Sequence, residues 1–286
     1  MDTKKIAPES ALPDAAQSDP LLMGWMVGSP PPPEKLVRFA DGSMLKFPQN
    51  RWANSNYRTL VPTKNISRGS GLVAPLPRAD RLDLDAVTFV PIGSSENMTW
   101  AESLSANYTD GIVVLHKGHV VYERYRGALD ADTPHIAFSV TKSFIGTIAA
   151  CLVHEGLLDD TANVAHYVPE LGKSAFGDAT VRQVMDMTTA LQYSEVYTDP
   201  NAEIWAHARA GGLLPRPHDY QGAQSFYEFL QTVKNLGKHG EGFSYKTINT
   251  DTLGWIVRRI TGQSLAQLLS QRIWSRLGAE HDAYIT

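Results

Sequence analysis

The chain has 286 residues, of which 43% are hydrophobic and 20% are charged, a balance typical of a globular protein with a sizeable core. The net charge is −4 and the chain has no basic run, so we expect no nucleic-acid partner. A single cysteine, Cys151, excludes an internal disulfide and a cysteine-rich zinc site, and no stretch approaches the roughly 20 apolar residues of a membrane span.

The N-terminal part of the chain is rich in proline, glycine and small polar residues. Residues 1–20 have the composition of a disordered segment. Residues 21–85, which include the tetraproline at positions 30–33, show little helical periodicity, so we expect an irregular extension packed on the main domain. The main domain is predicted to span residues 86–286.

The first regular elements are predicted within residues 86–135. Residues 100–107 have the pattern of a helix end, and two β-rich runs, 111–116 and 119–125, flank the turn Lys117-Gly118. This pattern predicts a hairpin with a two-residue loop. His116 and His119 flank that turn, and we interpret them as surface residues because no third metal ligand is near in sequence.

Helices dominate the region from 136 to 280. Five helices are predicted, over residues 140–155, 181–187, 225–236, 250–260 and 265–277. We expect Cys151 to be buried in the first of them as a small hydrophobic residue. Residues 193–220 are predicted to form a long irregular loop, and residues 283–286 have the composition of a strand. A hairpin alone is not a stable sheet, so the sheet is expected to be incomplete.

Ser139 and Lys142 stand three residues apart at the start of the first predicted helix. In a helix they would share one face, which brings an amine within reach of a hydroxyl. The positive end of the helix would favour a developing alkoxide and disfavour protonation of the lysine, so Lys142 could activate Ser139 as a nucleophile. The structural alternative is that Ser139 only caps the helix.

The same serine–lysine spacing occurs by chance elsewhere in the chain. Ser43 and Lys46 match it, but they follow the turn signal Asp41-Gly42 and precede Phe47-Pro48, so no helix is expected to start there. The helix that follows Ser139 is what separates the two matches.

Tyr245 follows a glycine-rich turn, with Gly237, Gly240 and Gly242, and precedes another predicted helix. A tyrosine on such a turn can direct its phenol inward and transfer a proton between a nucleophile and a leaving group. A buried tyrosine with one satisfied hydrogen bond is the structural alternative. Competing motifs are absent from the sequence: no Gly-x-Ser-x-Gly, His-Glu-x-x-His or P-loop occurs, and none of the nine histidines has a recognisable partner for a Ser-His-Asp triad.

Three stretches occur in the order typical of one hydrolase family: Ser139-Val140-Thr141-Lys142, residues 181–191 and Tyr245-Lys246-Thr247. The chain resembles the serine beta-lactamase and penicillin-binding-protein-like hydrolases, which include class C beta-lactamases, DD-peptidases and esterases. Three other stretches are similar to 6-aminohexanoate-dimer hydrolases, which split linear nylon-oligomer amides and often carboxyl esters: residues 25–33, 197–200 and 249–253. The resemblance extends from about residue 21 onward.

The resemblance implies an α+β fold of the beta-lactamase-like (DD-peptidase) type, with an antiparallel sheet, flanking helices and an all-helical region. It implies that Ser139 is the acylated nucleophile and Lys142 its base. Tyr245 would protonate the leaving group and later activate water, and Tyr197 would contact substrate. The backbone N–H of Ser139 would supply half of an oxyanion hole.

One part of the family pattern is not matched. The family has a Lys- or His-x-Gly strand after the tyrosine, which gives the second oxyanion donor, and nothing after Tyr245 matches it. Family members also run considerably further. We therefore expect the C-terminal strands to be missing and the chain to be truncated.

These features together predict a serine hydrolase that cleaves linear amides or carboxyl esters through an acyl-enzyme, without a metal or cofactor. Two alternatives stay open: a beta-lactamase or DD-peptidase, and a non-catalytic truncated family member. The expected partner is a small-molecule amide or ester, with no nucleic acid and no membrane, and a homodimer is left open. The N-terminus has no signal-peptide core, so the cytoplasm is the default location.

Overall fold

The computed structural model describes residues 12–286, which form two compact units. The first unit contains residues up to 38, 42–60 and 75–136, and the second contains 39–41, 61–74 and 137–286. Residues 1–11 of the predicted disordered segment lie outside the described residues.

The helices of the described chain are, in order, α1 (Pro20–Met23), α2 (Gln49–Leu60), α3 (Trp100–Ala106), α4 (Val140–His154), α5 (Val164–Tyr167), α6 (Val181–Met185), α7 (Glu203–Ala210), α8 (Phe226–Thr232), α9 (Thr247–Thr261) and α10 (Leu265–Arg272). The strands are β1 (Lys64–Ile66), β2 (Thr88–Phe89), β3 (Met98–Thr99), β4 (Gly111–His116), β5 (His119–Tyr125) and β6 (Ala283–Ile285). They pair as three two-stranded antiparallel sheets, β1–β6, β2–β3 and β4–β5.

The predicted hairpin in the first unit is confirmed. Strands β4 and β5 pair from Gly111 opposite Tyr125 to His116 opposite His119. The turn residues Lys117 and Gly118 both have positive φ, 50° and 78°, and such turns match the twist of the strands they join. His116 and His119 are both exposed, as expected for residues flanking a surface turn.

The core of the second unit is built around α4 and α9. Helix α4 buries Ile145, Ile148, Ala149 and Leu152, and α9 buries an apolar stripe that includes Ile256 and Val257. Both sets belong to one hydrophobic cluster with α5, α6, α8 and α10. Burial of apolar side chains in one contiguous cluster therefore fixes the helix from whose first turn Ser139 and Lys142 project.

Three expectations from the sequence are corrected by the structure. Cys151 is exposed rather than buried, because it lies beside the stripe of α4 that buries Ile148 and Leu152 and not within it. Helix α2, which is kinked at Asn56, lies within the segment 21–85 that was expected to be irregular, and α7 lies within the expected loop 193–220. The strand expected at 283–286 is confirmed as β6, which pairs with β1.

No helix within residues 12–286 is long and apolar enough to cross a membrane. The longest, α4 and α9, each have 15 residues.

An ion pair joins the C-terminal ends of α4 and α10, where Glu155 accepts a hydrogen bond from Arg272 at 2.6 Å. This bond lowers the pKa of Glu155 below its ordinary value. A carboxyl group whose pKa is lowered on folding stabilises the protein above its unfolded pKa of about 4.3, and the contribution is lost as the pH falls through the folded pKa. We expect Arg272→Gln to lower the urea midpoint of unfolding at neutral pH and the difference from wild type to disappear in acid.

Arg276→Gln is the matched control, since it removes the same charge from an exposed site in the next turn. A gap between Arg272→Gln and wild type that persists below the folded pKa would show that the ion pair is not its cause.

Candidate active site

The chain makes a sharp turn immediately before α4. Phe138 has a φ of +42°, in the left-handed region that non-glycine residues rarely adopt and that costs about 1–3 kcal/mol. Ser139 then occupies the N-cap position of α4, but its side chain caps no backbone N–H of the helix. Ser139 is exposed. The geometry therefore does not support the structural alternative in which Ser139 only caps the helix.

Lys142 lies one turn into α4 on the same face as Ser139. Its Nζ atom is 3.0 Å from the Oγ of Ser139, within hydrogen-bond distance. The lysine side chain is half-buried. The spacing predicted from the sequence therefore places an amine against a hydroxyl at a helix N-terminus.

Tyr245 is the third side chain of the candidate site. The Nζ of Lys142 lies 5.3 Å from the centroid of the Tyr245 ring, and the ring is 45% exposed. The glycine-rich turn before it is held to the end of α6, because the Ser244 N–H donates to the Met187 carbonyl at 2.9 Å. The structure thus brings together all three side chains that the sequence assigned to the chemistry.

Tyr197 lies on the segment before α7 and is 63% exposed. Its ring makes an edge contact with Trp205, with 5.8 Å between ring centroids. Partial burial raises the pKa of the Tyr197 phenol, and electrostatic interactions with Glu195 and Tyr245 raise it further. Tyr197 is therefore close enough to Tyr245 for an electrostatic interaction, and it also packs over its own neighbour.

The chance match at Ser43 has a structural role. The Oγ of Ser43 accepts the Arg38 N–H at 2.8 Å and donates to the Arg38 carbonyl at 3.2 Å. Residues Ser43–Leu45 form a single 3-10 turn, and no α-helix starts there.

Two histidine–aspartate pairs escaped the sequence analysis. The Nε2 of His207 lies 2.8 Å from Asp251, which joins α7 to α9, and the Nε2 of His239 lies 3.3 Å from Asp178. The Nδ1 of His239 accepts the Ala190 N–H, and the Nδ1 of His207 is buried without a partner. Neither histidine therefore completes a Ser-His-Asp triad within the described part of the chain.

Other residues missed by the sequence analysis hold the site together. Lys246 donates to the Leu191 carbonyl, and Glu195 accepts the backbone N–H of Thr247. Each contact joins residues more than fifty positions apart in the chain, so no local pattern could have revealed it. Within residues 12–286, no cluster of three or more histidine, cysteine or acidic side chains could hold a metal ion.

Known proteins match the chain in sequence and in fold. The family model described as Beta-lactamase matches residues 104–285. The 6-aminohexanoate-dimer hydrolase of Paenarthrobacter ureafaciens is 35% identical over 96% of this chain, which spans 62% of that protein. Protein flp of Staphylococcus aureus is 23% identical over 60% of this chain and 34% of its own length.

A solved structure has the same fold over most of the chain. It comes from Bacillus anthracis, is described provisionally as a 6-aminohexanoate-dimer hydrolase, and is 32% identical with a TM-score of 0.80. The match covers 90% of this chain and 66% of that structure. The α+β, beta-lactamase-like fold expected from the sequence is confirmed, and the chain belongs to the beta-lactamase family.

Proposed function

We propose that this chain is a serine hydrolase that cleaves linear amides or carboxyl esters through an acyl-enzyme. The observation that carries the proposal is the 3.0 Å contact between the Nζ of Lys142 and the Oγ of Ser139, on the first turn of α4. A serine hydroxyl is a weak nucleophile until a base within hydrogen-bond reach takes its proton. Lys142 in its neutral form is in a position to do so.

The acylation step uses both partners of Ser139. As the Oγ of Ser139 attacks the substrate carbonyl carbon, its proton passes to the Nζ of Lys142, and the carbonyl electron pair moves onto the oxygen. The backbone N–H of Ser139 is at the start of α4, where helix amides stabilise such an oxyanion. Collapse of this intermediate breaks the bond to the leaving amine or alkoxide and leaves the acyl group on Ser139.

Tyr245 would supply the remaining proton transfers. Its phenol donates a proton to the leaving amine or alkoxide and recovers a proton, through Lys142, from Ser139. In the second half-reaction the same groups take a proton from water as it attacks the acyl carbonyl. They return a proton to the Oγ of Ser139 as its bond to the acyl carbon breaks and the acid is released. The Nζ of Lys142 lies 5.3 Å from the centroid of the Tyr245 ring, so the two side chains are neighbours in the candidate site.

The substrate class rests on the relatives. The Paenarthrobacter protein is named for hydrolysis of the 6-aminohexanoate dimer, a linear amide. Tyr197, which lies near Tyr245 and is largely exposed, is in a position to contact such a substrate. A small amide or ester is thus the proposed partner of this chain, in the cytoplasm, and a homodimer stays open.

Labelling with a fluorophosphonate probe tests the proposal. The probe reacts with activated serine nucleophiles, so mass spectrometry of the folded chain should find the adduct on Ser139. The label should be lost in Ser139→Ala and retained in Ser143→Ala, which removes an exposed hydroxyl from the same helix. Folded protein without an adduct on Ser139 would favour a non-catalytic member of the family and would refute the proposal.

A further inference from the structure

Lys246 lies next to Tyr245 and takes no part in the chemistry described above. It is the residue before the first turn of α9, and only 8% of it is exposed. Its ammonium group donates a hydrogen bond to the carbonyl of Leu191, which is fully buried. A lysine is rarely buried to this extent unless its charge is paired or hydrogen-bonded, so this contact needs an explanation.

Two carboxylates lie close to this buried ammonium group. Glu195 accepts the N–H of Thr247, the residue that follows Lys246, and Glu203 accepts the N–H of Ser194 at 2.9 Å. Burial lowers the pKa of Lys246, and the negative charges of Glu203 and Glu195 counteract part of that effect. Lys246 and Glu195 thus join residues 191–195 to the start of α9, and Glu203 holds the same segment to α7.

The segments joined by this cluster carry the two tyrosines of the site. Tyr245 directly precedes Lys246, and Tyr197 lies two residues after Glu195. A second buried contact continues the connection, since Thr189 donates to the side-chain carbonyl of Asn249 at 2.7 Å. Displacement of Lys246 would therefore move Tyr245, the adjacent residue, relative to Ser139.

Stability alone does not account for a charged residue at this position. The desolvation of a buried ammonium group offsets much of its attraction to nearby carboxylates, and well-packed apolar residues often replace such groups without loss of stability. A directed hydrogen bond does what an apolar side chain cannot, because it fixes the distance and orientation of the two segments it joins.

We propose that Lys246 is a positioning residue that holds Tyr245 in place relative to Ser139. The inference rests on the proposed function, since it assigns Lys246 to the same reaction. Lys246 acts through Tyr245 and does not touch the substrate. Its contribution should therefore appear in the rate of the chemical steps more than in substrate binding.

Lys246→Met tests the proposal in the full chain, because methionine keeps most of the volume and removes the ammonium group. With p-nitrophenyl acetate as substrate, we expect kcat to fall by about tenfold to a hundredfold, the range that a displacement near 1 Å can cause. KM should change far less. Lys238→Met is the matched control, since Lys238 is exposed in the turn that leads to Tyr245, and it should leave both constants unchanged.

A double-mutant cycle separates positioning from a general structural role. If Lys246 acts through Tyr245, adding Lys246→Met to Tyr245→Phe should lower kcat by no more than about twofold. A factor of about two is the scatter with which the effects of independent mutations add, so a change of that size counts as no further loss. A loss that is equally large in both backgrounds would overturn the proposal. Glu195→Gln, a nearly isosteric change that removes one of the charges beside Lys246, should lower kcat in the same direction if Lys246→Met does not fold.

The outcomes for Lys246 and for the proposed function can be told apart. Hydrolysis that survives Ser139→Ala would overturn the proposed function and with it the role of Lys246. Hydrolysis that depends on Ser139 but is unchanged in both Lys246→Met and Glu195→Gln would overturn the role of Lys246 alone.

Discussion

Replacing Lys142 with methionine is expected to lower kcat for p-nitrophenyl acetate hydrolysis by about 10²–10⁴-fold, the contribution of a positioned general base. Methionine preserves most of the volume of the half-buried side chain but cannot take the proton of Ser139 across the 3.0 Å contact. Steady-state kinetics of the purified chain measure the effect. Lys173→Met, at an exposed position of the second unit, is the control and should leave kcat unchanged.

Ser139 and Lys142 should behave as one unit in the same assay. Residues that act together in one step show grossly non-additive losses, so the double variant Ser139→Ala/Lys142→Met should be no slower than Ser139→Ala alone. A further loss in the double variant would mean that Lys142 contributes independently of the serine. The assignment of Lys142 as the base would then be wrong.

Replacing Leu152 with alanine is expected to lower the free energy of unfolding by about 2–5 kcal/mol. Leu152 is fully buried on the inner face of α4, where it belongs to the main hydrophobic cluster of the second unit. The substitution removes apolar contacts and leaves a cavity that a rigid core fills only in part. Urea unfolding followed by circular dichroism measures the change.

Leu157→Ala is the matched control for this prediction. Leu157 lies five residues further along the chain and is 59% exposed, so the same chemical change should shift the free energy of unfolding by no more than about 0.5 kcal/mol. Equal effects at the two positions would contradict the assignment of Leu152 to the core.

Elements with local signals were predicted well from the sequence. The apolar run after Ser139 predicted α4, the Lys117-Gly118 turn predicted the hairpin, and the periodicity of residues 250–260 predicted most of α9. In each case the deciding residues lie within one helix or one hairpin. Such patterns depend on propensity and periodicity, which can be read without the rest of the chain.

Elements that depend on distant contacts were missed. Helix α2 contains three asparagines, which favour turns over helices, and it is held instead by Arg51, whose guanidinium bonds Asp110 at 2.7 Å and the Ala15 carbonyl. Helix α7 has only eight residues and stands between Pro200 and Gly211, so its helical composition was masked by loop signals on both sides. Cys151 was misplaced because the apolar run of α4 does not show which face is buried.

The residues of the candidate site also fall into those that local signals predicted and those that depend on distant contacts. Ser139 and Lys142 lie within one helical turn, so the sequence predicted their contact. Tyr245 was singled out by its glycine-rich turn, and the resemblance to a family assigned it to the same site. The contacts of Lys246 and Glu195 had no signal, because each partner lies on a different segment. A single sequence can identify the side chains that react, but not the side chains that hold them at the distances the reaction needs.

The pairing of β1 with β6 has a consequence for how the protein is made. Around this pair the side chain of Asn65 donates to Asp282, across 217 positions of the chain. At a synthesis rate of about 5–20 residues per second, β1 leaves the ribosome roughly ten to forty seconds before its partner strand exists. During that interval the edge of β1 is unpaired, and exposed edges of this kind promote association with other chains. Newly made chains are therefore most exposed to misassembly, or to capture by a chaperone, before β6 emerges.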